Sequence, residues 1–521
     1  MDELHGGDTA GAAHRALNGA ATAFVEQRSI PDVFRSHVAA TGEGIAVECG
    51  ERTLTYRELD ELSDSIAVRL SDAGTRPGHI VGLCARRSPE MIAGLLAILK
   101  CGAAYLPVDT TWPDERVFSL LRQAGCSVVA TDRVGSIHSR LPHLSPVALE
   151  SAEAGRRPTP VPAGDAAYVN FTSGSQGRPK GVLIGHRAVL RLVSGATYAR
   201  LDRTRRLLQL APVTFDAATF EIWGALLAGG TCVLYPDEFL RLSELKRVIV
   251  EHGVTTAFFT TALFNSIVDE APDALDSVDE ILTGGEHHSL RHMRVALARY
   301  GAGRVVHVYG PTESTTFATS HRVSTLPVDD AQVPIGRPIQ HTRAYIVAGE
   351  RLCAPAETGE LLLAGDGLAH GYLGMPEKTA ERFIVRTVEG CTERLYRTGD
   401  LVHIDNDGRL VFEGRVDDQV KINGFRIEPG ELAHHLGRDP QVRHSFVCVH
   451  DGSTGRQLLA FVVPADPSCT AGSVRERLAA ALPSYLLPAG IHLCDELPRS
   501  PNGKVDRQVL LALHARQGAS L

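Results

Sequence analysis

Apolar residues along this 521-residue chain recur in two rhythms that alternate over most of its length. The stretch "YRELDELSDSIAVRLSDAG" (56–74) spaces them three and four apart, which is one face of a helix. "EMIAGLLAILKCGAAYLPV" (90–108) does so more densely before stopping at glycine and Pro107, so its Met91 and leucines are core material. Between such stretches lie short β-rich runs, "HIVGLCA" (79–85) and "CSVVATD" (126–132). Helix and strand patterns in alternation predict stacked βα units, an α/β fold. Near residue 400 the rhythm changes. "RTGDLVHIDNDGRLVFEGRVDDQVKINGFRIEPGEL" (397–432) reads as strand, turn and strand with DG and NG turns, followed by helix and strand patterns to the end. The expected organisation is a flexible leader over 1–29, rich in Ala, Gly and Thr; a large N-terminal core over 30–416; and a small mobile α+β domain over 417–521.

Composition narrows the classes of function. At 44% hydrophobic and 22% charged the chain reads as an ordinary globular protein, and a formal net charge of −8 excludes a strongly basic field for nucleic acid or an acidic membrane. The ten cysteines are scattered singly with no CxxC pair, which reads as reduced thiols in a cytoplasmic protein. No apolar run reaches the roughly 18 to 20 residues that span a bilayer. Asp2, Glu3 and Asp8 stand where a signal peptide would be basic, so export is not expected.

One stretch, "NFTSGSQGRPKGV" (170–182), concentrates glycines, hydroxyls and two cations with little apolar content. Glycines let backbone N–H groups converge on an anion, and Arg178 or Lys180 supplies charge, so phosphate is the chemistry it suggests. Its spacing is not that of the G-x-x-x-x-G-K-[ST] loop, and a solvated turn is the competing reading.

Other stretches share this composition of glycine and hydroxyls beside one carboxylate or lysine: "YGPTESTT" (309–316), "YRTGD" (396–400) and "SPNGKVDR" (500–507). With "LTYREL" (54–59), "LKCGAAYLPVD" (99–109), "GELLLAGDGLAHGYLGMPEKT" (359–379) and "GRVDDQVKINGFRIEPGEL" (414–432), they resemble, in order and over about residues 30 to 510, the adenylate-forming enzymes, and among them the amino-acid adenylation domains of nonribosomal peptide synthetases.

The resemblance implies an ATP- and Mg²⁺-dependent ligase. It assigns Thr172, Ser173, Gly174, Ser175, Gly177 and Lys180 to the β- and γ-phosphates, with Thr172 counted among the catalytic residues. Tyr309 would lie against adenine, Thr312 near the α-phosphate, and Glu313 on Mg²⁺, a cation that takes one carboxylate plus nucleotide oxygens. Gly284, Gly285 and Glu286, with His307, Val308 and Gly310, would line the adenine and substrate sites. Asp400 would accept the ribose hydroxyls beside Phe412 and Arg415, and Lys504 would meet the substrate carboxylate and α-phosphate. Asp417 falls at the family's hinge, and Phe215 at an aromatic position that gates the carrier arm's tunnel or, read without the family, is simply core.

In "FDAATFEIW" (215–223) the resemblance pairs Asp216 with the substrate ammonium, which selects amino acids over fatty or aryl acids. The remaining wall is Ala217, Phe220, Phe258, Leu282, Gly284, Val308, Thr316 and Phe317, apolar but for one hydroxyl, which implies Val, Ile or 2-aminobutyrate. Departures from the family pattern are His307 where Asn is frequent, Asn423 where Arg is usual, and Ser175-Gln176 for a Thr-Thr pair. Only seventeen residues follow Lys504, so the expectation is action in trans on a separate peptidyl carrier protein bearing phosphopantetheine, with a small activating partner protein as a further possible requirement. The competing readings are an acyl-CoA or aryl-acid ligase of the same superfamily, which Asp216 argues against, and a nonenzymatic nucleotide-binding protein.

Overall fold

The computed structural model describes residues 3–4, 7–22, 28–133, 144–150, 158–159, 161–174, 177–326, 332–417, 419–422, 424–452, 455–499 and 505–518. The chain forms two compact units. The first comprises Met1–Thr110, Leu121–Asn170 and Gly181–Val416; the second comprises Thr111–Leu120, Phe171–Lys180 and Asp417–Leu521. The division falls at Val416/Asp417, and two segments that the sequence placed in the large core cluster with the small unit instead.

The two helical rhythms of the first unit become helices Tyr56–Asp72 and Pro89–Lys100. The first is started by a reciprocal cap in which Thr55 and Glu58 satisfy each other's backbone N–H groups, the second by Ser88, whose hydroxyl accepts from the Met91 N–H at 3.1 Å. Helix Pro89–Lys100 is buried on nearly all sides, hence its density of apolar residues. Its terminal Lys100 is also fully buried, and the charge is tolerated because Asp60 and Asp64 lie 2.6 and 2.7 Å from its ammonium, with the Ser63 hydroxyl at 2.8 Å.

Among the described residues this unit contains three sheets. One has a parallel centre in the order Val305–Tyr309, Glu280–Gly284, Thr256–Thr260, Arg206–Gln209, Thr231–Leu234 and Ile45–Cys49. A second runs Lys180–Gly185, Ala166–Thr172, Ala104–Pro107, Ile80–Cys84, Val128–Thr131 and Ser145–Ala148. The third is mainly antiparallel, built around Gly359–Gly365 and the long strand Cys391–Ile404. The α/β class read from the sequence therefore holds, with parallel strands whose side chains are buried between helices.

The leader differs from its expected flexibility. Asp8–Ala16 is helical, Glu3–Leu4 pairs with the strand Phe383–Val388, and Leu4, Ala10, His14 and Leu17 are buried. His14 Nδ1 donates to the Ala10 carbonyl at 2.7 Å while its Nε2 accepts from the Ile346 N–H at 3.0 Å, so the neutral ring is satisfied at both nitrogens, and burial lowers its pKa.

The second unit is small and α+β. The hairpin Val442–Gly452 and Gly455–Pro464 is extended by the parallel strand Gly490–Leu493. Helices Pro429–Gly437 and Ala471–Ala481 supply Leu432, Leu436, Val474 and Leu478 to its core, and Arg507–Gly518 adds Leu510 beside Leu459 and Phe461. Among the described residues no helix is long and apolar enough to cross a membrane.

Candidate active site

In the first unit, strand Val305–Tyr309 ends in Gly310 and Pro311, and a single turn Thr312–Ser314 follows. A side chain at Gly310 would collide with the Thr316 carbonyl, so the turn needs glycine there. Two antiparallel strands bring Asp400 and Arg415 directly opposite one another. The Arg415 guanidinium donates to the Asp400 carboxylate, and so does the Tyr309 hydroxyl. Thr398 Oγ1 accepts from the Asp400 N–H at 3.0 Å. Burial, and then the neighbouring Asp400 charge, hold the Tyr309 phenol well above its usual pKa, so it remains a donor. Phe412 meets His287 edge to face at 4.8 Å between ring centres. The result is a carboxylate fixed from two sides by a cation and a phenol, with aromatic rings nearby.

Glu313 is fully buried and its carboxylate accepts from the Tyr372 hydroxyl at 2.8 Å, while the Ala369 N–H binds its carbonyl at 2.9 Å. One oriented carboxylate, a hard oxygen donor, suits Mg²⁺ completed by nucleotide oxygens. The next residues are strained. Thr315 and Thr316 have φ of 52° and 66°, which costs β-branched residues about 1–3 kcal/mol each. The Thr316 hydroxyl donates to the Asp216 carbonyl at 2.7 Å.

That bond joins the loop to the wall residues named from the sequence. Asp216 and Ala217 open the helix Ala217–Leu226, which carries Phe220. Phe258 stands opposite Leu282, and Gly284 opposite Val308, on neighbouring strands. Ring centres of Phe220 and Phe317 are 5.2 Å apart, and those of Phe258 and Phe317 are 5.6 Å apart. Tyr198, which sequence reasoning missed, meets the Phe317 ring edge-on at 5.6 Å. Phe220, Phe258, Leu282, Val308 and Phe317 are all buried, whereas Phe215 and Asp216 are half-buried. Gly284 has no room for a side chain under the Val308 carbonyl, Gly285 takes a φ of 104°, and the Glu286 N–H donates to Thr261 Oγ1 at 3.3 Å.

His307 is fully enclosed. Its Nδ1 donates to the Pro334 carbonyl at 2.8 Å, which makes Nε2 the acceptor. His288 packs edge to face on it at 4.3 Å, and burial pushes His288 down to about 3 and His307 well below its usual value, so both rings are neutral near pH 7.

The second unit contains the glycine-rich loop. Gly174 faces the Arg178 carbonyl and Gly177, at φ of 75°, faces the His434 ring, so neither position admits a side chain. The Ser173 hydroxyl donates to the Arg426 carbonyl at 2.8 Å, Thr172 Oγ1 lies 3.5 Å from the Lys180 carbonyl, and the Lys180 ammonium is 2.7 Å from the Glu428 carboxylate. Arg116 and Glu431 form a further buried pair at 2.7 Å. Asp417 accepts from the Gln419 N–H at 3.3 Å. Ser175, Gln176, Asn423 and Lys504 lie outside the described residues. Glu428 and Tyr372 belong to motifs already noted in the sequence, but no local signal links either to its partner.

A family model described as AMP-binding enzyme matches residues 34–373, and one described as AMP-binding enzyme C-terminal domain matches residues 431–504. The chain is 38% identical over 507 residues to tyrocidine synthase 3 of Brevibacillus parabrevis, across 95% of this chain and 8% of that protein. It is 37% identical over 504 residues to bacitracin synthase 1 of Bacillus licheniformis, across 95% of this chain and 10% of that one. It thus spans only a small part of such relatives. Among solved structures, holo-PA1221, a nonribosomal peptide synthetase protein containing adenylation and PCP domains and bound to a vinylsulfonamide inhibitor, aligns with a TM-score of 0.86 at 32% identity, over 93% of this chain and 84% of that one. Klebsiella oxytoca NpsA in complex with 3-hydroxyanthranilyl-AMSN aligns at 0.70 and 28%, over 94% of this chain and 99% of that one.

Proposed function

Since this chain belongs to the AMP-binding enzyme family, as an adenylation domain of the nonribosomal peptide synthetase kind, we propose that it activates a small or medium aliphatic α-amino acid, Val, Ile or 2-aminobutyrate. The carboxylate oxygen of the amino acid attacks the α-phosphorus of ATP, pyrophosphate leaves, and an aminoacyl adenylate remains. A carrier-bound phosphopantetheine thiol then attacks the activated carbonyl, its proton is lost, and AMP leaves with the electron pair of the cleaved C–O bond.

The observation that carries the substrate reading is the wall around Asp216. Three phenylalanine rings pack on one another beside Leu282 and Val308, and the wall's one hydroxyl, on Thr316, is engaged by the Asp216 carbonyl. A polar substrate side chain would lose its water there, a cost of about 1–3 kcal/mol on mutational scales. The carboxylate of Asp216 is our candidate for holding the substrate ammonium.

Asp400 would take the ribose hydroxyls, positioned by Arg415 and Tyr309, and the bare Nε2 of His307 is an acceptor suited to an amino group on the base. Glu313 would hold Mg²⁺, which supplies neutralisation of the triphosphate charge. Thr172, Ser173, Gly174, Ser175, Gly177 and Lys180 would engage the phosphates, and Lys504 would stabilise charge developing at the α-phosphorus.

The test is amino-acid-dependent ATP–pyrophosphate exchange over the proteinogenic amino acids and 2-aminobutyrate, with isovaleric acid as the amine-free control. Exchange confined to Val, Ile and 2-aminobutyrate is expected; exchange with a polar or aromatic acid would overturn the aliphatic reading. The PCP domain in the PA1221 structure supports the carrier step, which transfer of labelled amino acid to a phosphopantetheinylated carrier rather than to free CoA would test.

A further inference from the structure

The turn after Glu313 contains two consecutive left-handed residues, Thr315 and Thr316; the other non-glycine residues with positive φ among those described, His341, Ala356 and Glu389, are isolated. Such backbone persists only where its surroundings over-determine it. The group that does so is Arg191, a side chain absent from every motif of the sequence reading. It projects from helix His186–Val193 and is completely buried. Its Nη2 donates to the Ser314 carbonyl at 2.6 Å and its Nη1 to the Phe317 carbonyl at 2.7 Å, so one planar guanidinium bridges the two carbonyls that flank the left-handed pair.

The surroundings of this bridge are built to match. Gly367 lies so close to the guanidinium that any side chain there would overlap it, and the Gly367 carbonyl accepts the Thr315 hydroxyl at 2.8 Å. The end of the helix is fixed by Gln340, whose Nε2 donates to the Arg191 carbonyl at 2.8 Å and whose Oε1 accepts from the Thr197 N–H at 3.1 Å. Burial lowers the guanidinium pKa to about 10, so it remains charged at neutral pH. Burying a cation against backbone carbonyls is an expensive way to fill a core, and its two bonds fall on the residues that bracket Thr316.

We propose that Arg191 is a positioning residue for side-chain selection: by gripping Ser314 and Phe317 it sets Thr316 and Phe317 in the wall of the amino-acid pocket. Glu313 is held independently, by the Ala369 N–H and the Tyr372 hydroxyl, so the grip acts on the amino-acid side of the turn and not on the nucleotide side. The inference rests on the reading that Thr316 and Phe317 line that pocket.

Exchange kinetics on the full chain test it with Arg191→Met, Arg191→Lys and Gly367→Ala, each assayed with the acid that the unmodified chain uses best. Arg191→Met is expected to raise the KM for that acid at least about tenfold, the scale of a lost charged hydrogen bond. It should also flatten the preference over one-methylene neighbours, while KM for ATP stays within about threefold. Arg191→Lys, which donates but cannot bridge as a planar fork, should recover part of both effects. Gly367→Ala should reproduce them with the arginine still present.

A folded Arg191→Met or Gly367→Ala variant with unchanged acid KM and preference overturns the proposal, as does a parallel rise in both KM values. If Arg191→Met does not fold, the other two decide by the same criteria, and misfolding of all three would assign Arg191 to core stability alone. A polar or aromatic best acid would sink the aliphatic reading and leave this test standing; an unmodified chain with no exchange for any acid removes both.

Discussion

Asp400→Asn isolates the contribution of one charge to nucleotide binding. The substitution preserves size, and the amide oxygen still accepts from one donor, but the Arg415 guanidinium and the Tyr309 hydroxyl now share a neutral partner. Both members of the ion pair are largely buried, with side chains 15% and 7% exposed. Removing one partner of a buried pair costs about 3–5 kcal/mol. The retained amide brings the expectation to the lower end, a clear fall in melting temperature without loss of the fold. Binding is affected separately. A hydrogen bond to a charged acceptor contributes about 1.5–3 kcal/mol and a neutral one about 0.5–1.5. Two ribose hydroxyls would therefore lose about 2–3 kcal/mol together, or a roughly 30- to 150-fold rise in KM for ATP at 1.4 kcal/mol per decade. The assay is ATP–pyrophosphate exchange with ATP and with 2′-deoxy-ATP. In the unmodified chain the missing hydroxyl should cost about tenfold; in Asp400→Asn it should cost about threefold or less, because the acceptor is already weakened. An unchanged deoxy penalty in the variant would refute the assignment of Asp400 to the ribose, whatever happens to stability.

Three further outcomes follow from the same geometry and the proposed roles. Lys504→Ala should lower kcat for exchange by about a hundredfold or more with little change in either KM, as expected of a group acting mainly in the transition state; a parallel change in KM would make it a binding residue only. Asp216→Asn should reduce kcat/KM for the amino acid by at least about tenfold, through loss of a charged hydrogen bond, and narrow its advantage over isovaleric acid; a preserved advantage would remove Asp216 from the ammonium site. Burial pushes the His186 pKa down to about 4 from 6.5, with Nδ1 accepting from the Ile30 N–H at 3.3 Å. The folded chain thus binds this proton less readily than the unfolded one, so the stabilisation is present above pH 6.5 and is lost as pH falls toward 4. His186→Asn, which can accept but does not titrate, should flatten the melting temperature between pH 7 and 4.5, and equal slopes in parent and variant would refute it.

What the sequence made legible is what local patterns encode. Helix Tyr56–Asp72 could be read from its spacing, and Pro89–Lys100 from its apolar density, because each is determined by residues within one or two turns. The leader helix was missed because its buried positions are Ala10, Gly11 and His14, with Leu17 just after its end, and alanine, glycine and histidine carry almost no hydrophobic signal. Arg191 was missed for a different reason. In "HRAVLRLV" it reads as a helix-face cation, and nothing local shows that Ser314, Phe317 and the bare backbone of Gly367 will enclose it. Lys180 stands out locally as a cation in a glycine-rich loop, but its partner Glu428 lies 248 residues away. Pairings of this length are set by topology, which a single sequence does not display.

The candidate nucleotide and amino-acid contacts are built on opposite principles, and this decides how each can fail. The Asp400 carboxylate is fixed by a cation and a phenol, and its backbone N–H by its strand's own Thr398, so losing one carboxylate donor leaves the other. The proposed amino-acid wall is different. It discriminates by volume, through Phe220, Phe258 and Phe317 rings resting on one another, and one methylene in such a wall is worth only about 1–3 kcal/mol. A wall of that kind has no spare hydrogen bonds to reimpose its shape, so its precision must come from the backbone that carries it. On that reasoning the strained Thr315–Thr316 pair and the buried guanidinium beneath it are two halves of one device. The turn directs Phe317 toward the other two rings, and Arg191 prevents it from relaxing away from them.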